Sequence, residues 1–177
     1  KVVLLDCVDV NKVHQSVVPN EYQGATDAVQ HLVDQGHTKV AYIGTSENTI
    51  AGRKRLEAFK DVLKKNKIDL DPEYIVQVSD SNAIDGHEGA QKLLASKVRP
   101  TAIFCYTDRM AMGAYEAIAE AKLSIPQDIS VVGFDNQLNI PITMKLSYLP
   151  LLALAFAGIS ADCSLDPELF QEISFMA

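Results

Sequence analysis

Cysteine is scarce and basic charge is in the minority in this 177-residue sequence, and both shortages narrow what it can do. Its three cysteines, Cys7, Cys105 and Cys163, are odd in number and far apart, with no CxxC pair and no Cys/His cluster. Such spacing supports neither a disulfide framework nor a zinc site, and it predicts buried free thiols in a reducing compartment. Acidic residues outnumber basic ones by 23 to 16, for a net charge of -7 and a pI near 5.0, which disfavours a nucleic-acid surface within these residues. No basic segment followed by an apolar core opens the chain, so no export signal is read and a cytoplasmic location is expected. Also missing are a Gly-rich phosphate loop, a Ser/His/Asp order and any metal-ligand spacing, so neither an enzyme nor a cofactor or metal site is expected. No repeat or low-complexity segment interrupts the chain. The apolar run at residues 151–161 is too short to span a bilayer.

What is present is alternation. A hydrophobic content of 47% over this length suffices for one substantial α/β core. From Asn20 to Asn136 the pattern reads helix, strand, helix, strand, helix, strand, helix, strand. The strands are Lys39 to Gly44, Tyr74 to Val78, Ala102 to Tyr106 and Ile129 to Phe134. They are short apolar runs without polar alternation, as expected of parallel strands covered on both faces. Between them lie helical stripes: Ala25, Ala28, Val29, Leu32 and Val33, stopped by Gly36; Leu56, Phe59 and Leu63; Ala90, Leu93 and Leu94; and Ala111, Ala114, Tyr115 and Ile118. The fold class is therefore α/β with a doubly wound parallel sheet. Val2 to Leu5 reads as one further strand, and Cys7 to Pro19 as a connection or weakly extended segment. His37, after the Gly36 stop, reads as a turn residue with a packed ring.

In an open α/β sheet, small ligands bind outside the carboxyl ends of the strands. Asp108 and Asp135 both follow such ends. Asp108 directly precedes a helix and suits an N-cap, whereas Asp135 has no equally obvious helix to cap and is the better candidate for a ligand contact. The helix beginning near Ala51 carries Arg53, Lys54 and Arg55 in its first turn, where the partial positive charge of a helix start prefers acids. Three cations gain nothing locally there. They are either solvated or answer to something outside the helix, such as an anionic or hydroxyl-rich ligand or the Asp135 carboxylate. Arg55, adjacent to the buried Leu56, lies nearest the sheet.

Several strings together resemble the effector-binding domain of the lactose-repressor/galactose-repressor (LacI/GalR) family of bacterial transcription regulators. They are Gly24-Ala25, Gly36-His37-Thr38-Lys39, Arg55-Leu56-Glu57-Ala58-Phe59, Asp108-Arg109-Met110-Ala111 and Ile125-Pro126-Gln127-Asp128-Ile129-Ser130-Val131-Val132-Gly133-Phe134-Asp135. They occur in the family's order over most of the chain. The resemblance implies a periplasmic-binding-protein-like (type I) fold with one Rossmann-like subdomain nearly whole and the other partial. Residues 1–19 would be the partial amino-terminal subdomain and crossover, and 20–140 the carboxyl-terminal subdomain. Residues 141–161 would return to the first, and 162–177 would close the chain. Arg55 and Asp135 fall on positions that hold effector hydroxyls or purine polar atoms, with Phe104, Tyr106 and Thr107 lining the same side. The implied ligand is a small sugar or purine-like effector in a cleft between subdomains. Operator DNA would be engaged only through a headpiece these residues do not contain. A homodimer is implied, with Arg109, Met110 and the loop after Asn136 facing the second subunit. A sugar-binding protein of a transport system shares the fold and is the alternative. The region after Leu146 departs from the family: Ser147-Tyr148 stand where two threonines are expected, and the stretch from Gly158 to Leu165 is shorter than a usual helix of about three turns.

Overall fold

A computed structural model describes residues 2–9, 11–46 and 48–135. The expectations for residues 136–177, including Asn136, Cys163, the return segment and the closing segment, fall outside them. Among the described residues the chain divides into two compact units, one up to Asn20 and one from Glu21 onward.

The first unit holds two short parallel strands, β1 (Val3–Leu5) and β2 (Gln15–Val17), with Val3 opposite Gln15 and Leu5 opposite Val17. Of the two readings of Cys7 to Pro19, a connection or a weakly extended segment, the second fits Gln15–Val17, which form a strand. A single carboxylate organises the turn between them: Asp9 accepts the backbone N–H groups of Asn11, Val13 and His14 and contacts the His14 ring at 3.0 Å. Those hydrogen bonds, with His14 foremost, hold the Asp9 carboxyl below its ordinary value. Cys7 is exposed, contrary to the expectation of buried thiols, because this short strand pair offers no core around it.

The second unit is the alternating α/β region. In chain order it contains α1 (Glu21–Asp34), β3 (Val40–Thr45), α2 (Ile50–Lys65), a single 3-10 turn (Pro72–Tyr74), β4 (Ile75–Val78), α3 (Ala83–Leu94), β5 (Ala102–Cys105), α4 (Asp108–Glu120) and β6 (Ser130–Val132). All four strands are parallel, in the order β4-β3-β5-β6. Successive strand residues point to opposite faces, so every strand feeds two cores. Val40 and Tyr42 of β3 with Ala102 and Phe104 of β5 pack under α1 and α2; Ala41 and Ile43 with Ile103 and Cys105 pack under α3 and α4. Burial on both faces explains why the strands read as unbroken apolar runs.

The two helices over each face pack on one another, and α3 meets α4 unusually closely. A Cβ on Gly113 would lie 1.8 Å from the Ala83 carbonyl oxygen, and one on Gly86 would lie 2.2 Å from that of Met110. Met110 is fully buried in this contact and is not available to a second subunit, correcting the expectation for it; Arg109 beside it is exposed. At the amino edge of the sheet, His37 fastens β5 to β6, its ring nitrogens lying 3.0 Å from the hydroxyls of both Thr101 and Ser130. Among the described residues no helix is long and apolar enough to cross a membrane.

Chain direction fixes where a site can form. From β3 the chain leaves through α2 to β4 on one side, then returns through α3 to β5 on the other, so connections diverge at the β3/β5 boundary. In open α/β sheets small ligands bind at the carboxyl edge beside such a divergence.

Candidate functional site

Arg55 sits at this edge because α2 starts just after β3 ends, and because position 55 falls on the helix's buried stripe beside Leu56. Thr49 caps α2 by accepting the Gly52 N–H at 2.9 Å, and no acid lies in the first turn. Of the three adjacent cations, Lys54 pairs with Glu57 one turn on at 2.8 Å. Arg55 instead turns inward, with only 6% of its side chain exposed.

Its guanidinium is held on every side that the described residues offer. Nε donates to Glu21 Oε2 at 2.6 Å, Nη2 to Asp135 Oδ1 at 3.0 Å, and Nη1 to the Tyr106 carbonyl. The guanidinium carbon lies 3.7 Å from the Phe134 ring centroid and 4.5 Å from that of Tyr106, both within cation–π range. Burial alone would lower the Arg55 pKa; the Glu21 hydrogen bond and the Asp135 and Glu21 charges outweigh it and raise it. The cation is thus locked in its charged form. Two of its five N–H donors, one on each terminal nitrogen, make no bond to the described residues.

Asp135 lies just past β6, with its side chain 32% exposed. Oδ1 is taken by Arg55, and Oδ2 has no bond among the described residues. Its backbone φ is +92°, a region unfavourable to a residue with a Cβ by about 1–3 kcal/mol, and such strain concentrates at binding sites. The expected convergence of Arg55 and Asp135 from distant segments is present in the geometry.

The remaining predicted residues are placed differently. Tyr106 contributes its half-buried ring and its carbonyl, directly at the cluster. Phe104 has no exposed surface and cannot line a ligand site; its ring packs on Tyr42 and stands edge-on behind Phe134, at centroid distances of 5.7 and 6.4 Å. It lies two residues before Tyr106, deeper in the strand. Thr107 takes the capping role that was expected of Asp108: its Oγ1 accepts the Met110 N–H at 3.3 Å and donates to the Ser81 carbonyl. Asp108 is the first residue of α4 and is buried, with its carboxylate directed at Gly133, where a Cβ would come within 2.2 Å of Oδ1. The Asp108 N–H also donates to the Phe134 carbonyl, and β6 itself ends at Val132, earlier than the apolar run suggested.

Two residues of the cluster were not singled out from the sequence. Phe134 supplies the ring nearest the guanidinium, and it fits because Gly24 of α1 leaves room: a Cβ there would stand 2.8 Å from the ring. Glu21 opens α1, where an acid is ordinary, so nothing local marks it as special. Among the described residues there is no cluster of metal-ligating side chains.

Residues 29–151 match the periplasmic binding protein-like domain family. Over 135 residues the chain is 35% identical to the HTH-type transcriptional repressor PurR of Mannheimia succiniciproducens, covering 76% of this chain and 40% of that protein. It is 38% identical over 120 residues to the ribose operon repressor of Haemophilus influenzae, covering 68% and 36% respectively. Among solved structures it resembles a LacI family transcriptional regulator from Enterococcus faecium with bound ribose. The TM-score is 0.68 at 28% identity, over 76% of this chain and 49% of that one. The chain thus spans about two fifths of the length of the curated relatives it matches.

Proposed function

Because this chain belongs to the periplasmic binding protein-like domain family, in the form found in LacI-type transcriptional regulators, we propose that it is the effector-sensing part of a bacterial repressor. The ligand is a small polar molecule of the sugar or nucleobase class, gripped at the carboxyl edge of the β4-β3-β5-β6 sheet. One observation carries this reading: Arg55 and Asp135, 80 residues apart, meet at that edge with donors and an acceptor oxygen to spare. A hydroxyl accepting from a terminal Nη–H while a neighbouring hydroxyl donates to Asp135 Oδ2 satisfies both partners at once. The Tyr106 and Phe134 rings beside them suit the apolar face of a sugar or a base. Ribose, bound by the similar Enterococcus faecium regulator, belongs to this class.

A ligand that contacts the site in one conformation more than in another shifts the population toward the first, and a DNA-reading headpiece elsewhere in the protein would register that shift. The curated relatives named above are repressors, which favours this reading over a sugar-binding protein of a transport system. Exposed Arg109 at the start of α4 remains the candidate for a homodimer contact, and sedimentation of the full-length protein tests it.

The binding reading is tested by calorimetric titration of the full-length protein with neutral pentoses, hexoses and purine bases. Asp135→Ala should weaken the binding of whichever ligand registers by about 1.5–3 kcal/mol, the worth of a hydrogen bond to a charged group. An unchanged titration curve would refute the assignment.

A further inference from the structure

Glu21 governs how Arg55 can be used. Its carboxylate reaches across 34 residues of sequence to accept the Arg55 Nε–H at 2.6 Å, and its side chain is only 13% exposed. With Nε held there and Nη1 on the Tyr106 carbonyl, the guanidinium cannot swing; the edge beside Asp135 is what an incoming group meets. Charge points the same way. Glu21 and Asp135 together outnumber Arg55, so the assembled cluster carries one formal negative charge in excess. An arginine facing a pocket alone is a ready partner for phosphate or carboxylate, whereas this one is already more than neutralised.

We propose that Glu21 is a positioning and specificity-determining residue of this site: it presets the Arg55 fork and turns away anionic ligands, so that the site accepts a neutral polyhydroxyl or heterocyclic guest. This inference rests on the Arg55–Asp135 site proposed above. The plainer role for an acid at a helix start is to offset the helix dipole. That role requires no bond to Nε, and it would not alter the ratio between neutral and anionic ligands.

Two measurements on the full-length protein separate these roles. The first needs no ligand: in side-chain NMR spectra the Arg55 Nε–H should be slow to exchange with water, and Glu21→Gln should make it exchange at least about tenfold faster, as expected on replacing a charge-assisted hydrogen bond by a neutral one. The second compares D-ribose with D-ribose 5-phosphate by calorimetry. Wild-type protein should bind the sugar at least about tenfold more tightly than its ester, Glu21→Gln should bring the ratio toward one, and charge-retaining Glu21→Asp should keep it. A wild-type Nε–H exchanging as fast as that of a surface arginine, equal wild-type affinity for both probes, or a ratio untouched by Glu21→Gln would each overturn the proposal. Failure of both probes and of every ligand in the wider panel to bind would instead sink the binding site itself, while the Nε–H signal would still decide whether Glu21 holds Arg55.

Discussion

Replacing Arg55 by methionine removes the cation while keeping an unbranched apolar side chain of similar reach against the Tyr106 and Phe134 rings. What changes is the charge balance. Glu21, 13% exposed, and Asp135, 32% exposed, would lose their shared partner. Removing one member of a buried ion pair costs about 3–5 kcal/mol, because the carboxylate left behind stays desolvated. That range applies to Glu21; Asp135 is exposed enough for water to replace its partner, so its share is about 1 kcal/mol or less. We therefore expect Arg55→Met to destabilise the second unit by about 3–5 kcal/mol, nearly all through Glu21. Urea denaturation followed by circular dichroism measures this as a shift in midpoint of about 1–3 M. The double variant Glu21→Gln/Arg55→Met should recover about 1–3 kcal/mol, since a neutral amide is far cheaper to leave buried. Arg55→Lys should fall between wild type and Arg55→Met, because an ammonium cannot span Glu21, the Tyr106 carbonyl and Asp135 as a planar fork does. A loss below about 1 kcal/mol in Arg55→Met, or no recovery in the double variant, would show that the cluster is not the buried pair described here.

His37 should make stability depend on pH. Burial lowers its pKa below the ordinary 6.5, so the unfolded chain binds the proton more readily; its contribution is complete above pH 6.5 and lost as pH falls toward the folded pKa. Melting temperature should drop on acidification below pH 6.5, and this part of the slope should vanish in His37→Gln. Gly113→Ala would gain about 1 kcal/mol on an open helix. Here the added Cβ meets the Ala83 backbone, so a net loss of about 2 kcal/mol or more is expected in thermal unfolding. Burial, with the Asp108 charge nearby, pushes the Cys105 thiol well above its ordinary range. Iodoacetamide labelling with peptide mapping should therefore modify exposed Cys7 promptly and spare Cys105 until the protein is denatured.

The order of elements in the second unit was legible because parallel strands covered on both faces must be apolar throughout, and helices covering them must carry one apolar stripe. Val40 to Gly44 and Ala102 to Cys105 satisfy the first condition, and the α1, α2 and α4 stripes the second. Arg55 and Asp135 were legible as candidates from an arginine beside the buried Leu56 and an acid past a strand end with no helix to cap, although α2 begins at Ile50 and so puts Arg53, Lys54 and Arg55 in its second turn and not in the first turn expected. The α/β class thus follows from local chemistry, as does the expectation that this pair of residues lies at the carboxyl edge. Everything that depends on depth and partnership was left to the tertiary structure. Two positions separate Phe104, sealed beneath Phe134, from Tyr106, just past the strand end, whose carbonyl binds Arg55. The helix cap passed from Asp108 to Thr107, whose Oγ1 reaches the Met110 N–H, while the Asp108 carboxylate lies against Gly133. Glu21 carries no mark at all along the chain, since an acid at a helix start is unremarkable until the fold brings a guanidinium against it. Periodicity reports which face of an element is covered, whereas hydrogen bonds between residues 34 and 80 positions apart exist only once the layers have packed.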